Sequence, residues 1–246
     1  MRSYFQYELT RLLRNGRYVF FTIAYPVILY LFFSHVGGGT EGGTSGGISA
    51  AAYVMVSMAV FGASGAAIGI AAQIANERDT GWTRQLRLTP LPPWGYVVAK
   101  IVSGLAIAVC AFGLVFAVGG FAEGVQLPLQ HWLTIAGMML VSLIPFAALG
   151  VLLGYVASGT AGRAAMMFPW LLLSLFGGLW MPVSTMPHVM AEVAHGLPTF
   201  QMADLAWRSL AGKAPSTQSM MVLAVWTVGL VALAGWRYRR DAVRPA

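Results

Sequence analysis

Six runs of roughly eighteen or more mostly apolar residues dominate this sequence, the length a helix needs to cross a hydrocarbon layer of ~30 Å. They fall at residues 19–36, 50–75, 97–121, 132–157, 164–181 and 219–236. Between them little remains for a soluble surface: 58% of the 246 residues are hydrophobic and 9% are charged, against roughly 25% in a soluble domain. The expectation is an all-α membrane protein with six transmembrane helices in one domain, 1–246.

Charge placement orients the spans, because cytoplasmic flanks collect Lys and Arg. Thirteen of the fifteen basic residues lie before the first span, after the second, after the fourth and after the sixth; only Arg208 and Lys213 lie in the alternate gaps. Both termini are then cytoplasmic, as an even number of spans requires. Basic residues spread over membrane flanks are not the single soluble face that nucleic acid needs, so the net charge of +7 does not indicate that partner. Cys110, the one cysteine, lies in an apolar run and excludes an intrachain disulfide.

Residues 1–18 carry Phe5, Leu9, Leu12 and Leu13 at helical spacing with Arg11 and Arg14 on the other side, which predicts an interfacial helix. A cleaved signal peptide fits worse, since this preface is long and lacks a small-residue cleavage site. The glycine-rich stretch 37–47 reads as an outer linker, because no strand precedes it as a phosphate-binding loop would require.

The segment 76–93 is the most informative. Trp82, Leu86 and Leu88 project at near-helical spacing, Arg84 and Arg87 lie elsewhere around the turn, and Pro90, Pro92 and Pro93 stop the helix. A short helix with apolar and basic residues, tied to two spans, offers a soluble partner something to grip. Trp94 and Tyr96 are expected at headgroup depth, with Lys100 extending back to the headgroups.

The pattern Glu77-Arg78-x-x-Gly81-Trp82-x-x-x-Leu86-x-x-Thr89-Pro90-Leu91, with Lys100 at the start of the third span, resembles the loop between spans two and three of the type-2 ATP-binding-cassette permeases. Gly178-x-x-Met181-Pro182, Met186-Pro187 and Leu197-Pro198 resemble that family's short outer re-entrant helices between spans five and six, here within 182–217. The resemblance implies that Glu77, Arg78, Gly81, Trp82, Arg84, Leu86, Thr89 and Pro90 form a coupling helix docked into a separate ATPase subunit. It also implies two permease chains, identical or related, with a pathway lined by spans two and five. ATP and Mg would bind the partner, with no cofactor or metal on this chain and a location in the bacterial plasma membrane.

The residues themselves agree that energy comes from elsewhere. No G-x-x-x-x-G-K-[ST] motif occurs, and no carboxylate lies clearly at mid-span as proton-coupled transporters usually require. Ser57, Phe61, Ser64, Gly65 and Gln73 in span two, together with Gly62 and Gly69, mark a candidate translocation path, with simple packing as the competing explanation. Gly65-x-x-x-Gly69 and Gly150-x-x-x-Gly154 permit close helix approach, within one subunit or between two. His188, Glu192 and His195 share a helical face, a weak metal-site pattern, and Ser184 with a histidine makes a weaker case for an intramembrane hydrolase.

The expected activity is therefore export of an amphiphilic drug-like or lipid-like compound, with drug efflux and antibiotic resistance the expected setting. Glycan export and a non-transporting anchor or sensor are the alternatives.

Overall fold

A computed structural model describes residues 2–38, 44, 45, 48–86, 88, 92–157, 162 and 166–243. Thr89 and Pro90 lie outside the described residues, as does most of the glycine-rich linker. The fold is helical; its only strands among the described residues are Thr44–Ser45 and Ile48–Ser49, paired antiparallel.

Helix α1 spans Arg2–Arg14. The first long helix begins with α2 (Gly16–Val19), passes through a π-helical turn (Phe20–Ala24) and continues as α3 (Tyr25–Gly38). Pro26, which has no amide hydrogen to donate, lies two residues past the wide turn.

Helix α4, Ala50–Asp79, starts at an N-cap where Ser49 Oγ accepts from the Ala52 amide. Its thirty residues extend about 45 Å. Helices α5 (Trp82–Leu86) and α6 (Pro93–Phe121) follow. The next span is broken into α7 (Leu129–Ser142) and α8 (Ile144–Val156), because Pro145 cannot donate into the preceding turn. Then come α9 (Met167–Phe176), a 3-10 turn (Val183–Thr185), α10 (His188–Gly196), α11 (Pro198–Leu210) and α12 (Thr217–Val243).

Among the described residues five helical stretches are long and apolar enough to cross a membrane: Gly16–His35, Ala50–Asp79, Trp94–Phe121, Leu129–Val156 and Thr217–Arg240. The expected fifth span is the exception. Its described helix, α9, has ten residues, about 15 Å of rise and half a hydrocarbon layer. It ends where the chain turns at Gly177 and Gly178, the latter at φ +74°, and a side chain at Gly177 would collide with Thr199 of α11.

Helix α4 is the axis of the bundle, packed by α6, α8, α3 and α11. Of its most apolar window 94% is buried, against 22% for the window on α12, where Val225 and Val228 stand exposed. Apolar faces turned outward around a covered central helix are what a lipid solvent permits. The glycine pairs serve this packing within one chain. A Cβ at Gly150 would lie 2.8 Å from the Ala67 carbonyl oxygen, and one at Gly154 2.8 Å from Ile74 Cβ, so both let α8 close onto α4.

Candidate functional site

The corner between α4 and α5 is built on two adjacent residues that face opposite ways. Thr80 closes α4, and Gly81, at φ +75°, turns the chain through the left-handed region. Just before the turn, Glu77 points toward α1 and α6, whereas Arg78 points toward α8.

The Glu77 carboxylate is 1% exposed and lies in the last turn of α4, where the helix dipole disfavours negative charge. Partners on other helices compensate. Its Oε1 accepts from Lys100 Nζ at 2.7 Å and from Arg11 Nη1, and its Oε2 accepts from the Tyr96 hydroxyl at 2.8 Å. Lys100, itself 1% exposed, also donates to Glu8 Oε1 of α1 and reaches Gln73 Oε1 at 3.4 Å. Glu8, Glu77 and Lys100 thus neutralise one another out of water, with the half-exposed Arg11 closing the cluster from the solvent side. Burial works against the charge on Arg11, but Glu77 more than offsets it and its pKa is raised. Burial, reinforced by Glu8 and Glu77, raises the pKa of Tyr4 and keeps it a neutral phenol.

Arg78 Nη1 donates to the carbonyls of Gly154 and Tyr155, each at 3.2 Å, and its guanidinium lies 5.0 Å from the Tyr155 ring centroid. These carbonyls belong to the last turn of α8, which has no intrahelical partners for them and favours a cation. Arg237 Nε of α12 donates to the Tyr155 carbonyl at 3.3 Å. The root of the α4–α5 corner is therefore fastened to α1, α6 and α8.

Beyond the corner the segment differs from expectation. Leu86 packs inward, against the cluster of Ile70, Ile74, Tyr96, Val151 and Tyr155, and Trp82 is half-buried. The exposed apolar residue is Leu88, at 89%. Arg84 lies on α5. Tyr96 and Lys100, expected at the headgroups, are instead buried, because Glu77 and Glu8 offer them charged partners that lipid does not. Glu8 and Arg11 were not expected here at all. The available signal was that Glu8, the only acidic residue ahead of Glu41, shares a helical stripe with Tyr4 and Leu12.

The candidate path residues on α4 face neighbouring helices. Ser57 Oγ donates to the Tyr53 carbonyl and Ser64 Oγ to the Phe61 carbonyl. Trp170 of α9 donates to Ser64 Oγ at 3.2 Å, and its ring lies 4.4 Å from that of Phe61. A Cβ on Gly65 would come within 2.8 Å of the Trp170 ring. Gln73 belongs to the ion cluster. Farther along α4, Tyr53 stacks on Trp207 of α11 at 4.4 Å and donates to the Gly178 carbonyl. An apolar groove of about 840 Å³ opens elsewhere, between α6 and α7, lined by Phe112, Phe116 and Trp132.

On α10, His188 lies 3.6 Å from Glu192, while the His195 ring packs edge-on against Phe200. Among the described residues no three metal-capable side chains converge.

A covered central helix, exposed apolar flanks and a short helix turned off a charge-pinned corner define a multi-pass membrane protein of the transporter class. The sequence matches the model of the ABC-2 family transporter proteins over residues 39–236, and the chain belongs to that family. It is also 28% identical over 238 residues, 96% of each chain, to a Bacillus subtilis (strain 168) protein described as "Putative transport permease YvfS". The chain is thus an ATP-binding-cassette transporter permease.

Proposed function

We propose that this permease is the membrane half of an exporter, moving an amphiphilic drug-like or lipid-like compound out of the cytoplasm or the inner leaflet. ATP, with Mg, is bound and hydrolysed on a separate ATPase subunit, since the sequence contains no phosphate-binding loop of its own. Two permease chains assemble with the ATPase, as a homodimer or with a related chain, in the bacterial plasma membrane. Thirteen of fifteen basic residues on one set of flanks support cytoplasmic termini and an α4–α5 corner that faces the ATPase.

The observation that carries this proposal is the corner itself. A helix touched by a soluble subunit transmits force only if its root is fixed to what must move, and here Glu77 and Arg78 tie α5 to three other helices. The short polar side chains along α4 suit an amphiphile, and the candidate path through Ser57, Phe61, Ser64, Gly65 and Gln73 requires α9 to withdraw from α4 during transport.

The test is ATP turnover by the complex in lipid, with wild type, Trp82→Ala and the surface variant Leu88→Asp. Wild type should assemble with the ATPase and respond to transported compound, and Leu88→Asp should weaken assembly while folding normally. Failure of the wild-type chain to bind any ATPase would sink the proposal.

A further inference from the structure

Lys100 belongs to no part of the α4–α5 segment, yet its ammonium is where that segment meets α1. It contacts Glu77 Oε1 at 2.7 Å on one side and Glu8 on the other, with all three residues at most 1% exposed. The Glu8 carboxylate has no other hydrogen-bond partner among the described residues. We propose that Glu8 and Lys100 are positioning residues for coupling: they lock α1 to the root of α5, so that displacement of α5 by the ATPase carries α1 with it. This rests on the exporter reading above.

The physical case is one of registration. A thirteen-residue helix is marginal in isolation and takes its position from what it packs on. An apolar stripe alone can slide along a helical groove with little change in buried area. A carboxylate at the centre of the stripe cannot, because leaving its ammonium strands its charge out of water. On α1 the stripe is Tyr4, Glu8 and Leu12, with Leu12 3% exposed and Glu8 at its middle. Arg11, one turn on, pairs with Glu77 itself and closes the same loop from the other side. Motion of the last turn of α4 therefore reaches α1 through charges rather than through deformable packing.

The experiment uses the full chain in lipid, alone and with its ATPase, in a Cys110→Ala background. Leu12→Cys reports α1 docking through its rate of reaction with a membrane-impermeant maleimide. Glu8→Gln and Lys100→Met are expected to raise that rate at least about tenfold. With the ATPase they should leave subunit affinity unchanged but lower compound-stimulated kcat by about tenfold, and Lys100→Arg should restore both values. Unchanged labelling, or released α1 with normal stimulated turnover, overturns the positioning role. A wild-type chain that binds no ATPase overturns the exporter reading and this role with it. Leu12→Cys protected there and released by Glu8→Gln would show that α1 is still locked to α6, so that the exporter reading has failed and not the contact.

Discussion

Tyr96 donates its hydroxyl to Glu77 Oε2 at 2.8 Å, while Lys100, one helical turn farther along α6, reaches the other oxygen of the same carboxylate at 2.7 Å. The two bonds differ in kind, and replacing each should cost differently. Tyr96→Phe removes one hydrogen bond to a charged acceptor, a loss of about 1.5–3 kcal/mol. Lys100→Met strands the buried Glu8 carboxylate and leaves Glu77 with Arg11 and Tyr96 alone, a loss of about 3–5 kcal/mol. Thermal unfolding in detergent should rank wild type above Tyr96→Phe and Tyr96→Phe above Lys100→Met. Equal midpoints for the two variants would mean that the cluster is not held by charge.

Arg78 caps α8 from another helix, so its loss should be felt there. Arg78→Ala should cost roughly 1–2 kcal/mol from the helix-end and ring interactions together. Amide exchange should rise in the last turn of α8, around Tyr155, more than in α4, and Arg78→Lys should recover part of the protection. Faster exchange confined to α4 would contradict the cap.

Gly81 takes a left-handed conformation in open space, with nothing within 4 Å of an added Cβ. Gly81→Ala should therefore cost only backbone strain, about 1–2 kcal/mol. Limited trypsin digestion should show faster cutting after Arg84 or Arg87 as α5 loses its fixed angle. A variant cut no faster than wild type would show that the turn does not set that angle.

Gly65 separates the packing and pathway explanations of the α4 stripe. With the Trp170 ring 2.8 Å from an added Cβ, Gly65→Ala should destabilise by about 1–3 kcal/mol through overpacking. Trp170→Phe, which trims the ring, should relieve much of that loss. Normal stability together with altered compound tolerance would instead mean that position 65 faces open space in the resting chain.

How much of this was legible beforehand differs by feature. The first four spans and the last were readable because each is a long apolar run, and lipid leaves such a run few options besides a helix. The fifth ends earlier than hydropathy suggests, because hydropathy ignores backbone turns: residues 177–181 are apolar enough to continue a span, but Gly178 turns the chain and Thr199 occupies the space beside Gly177. The coupling motif was visible as a spacing, yet its side chains were assigned outward when Leu86 packs inward.

The sequence by itself determined that the chain lives in a membrane, where its five long apolar helices run and to which family it belongs, because hydropathy, charge placement and motif spacing are properties of neighbours along the chain. Only the tertiary structure decided that Glu8, Arg11, Glu77, Tyr96 and Lys100 meet, and that Arg78 serves α8. Those contacts join residues up to 92 positions apart. A buried charge is stable only beside its partner. Which residue is that partner depends on how α1, α4 and α6 pack, and no local pattern records it.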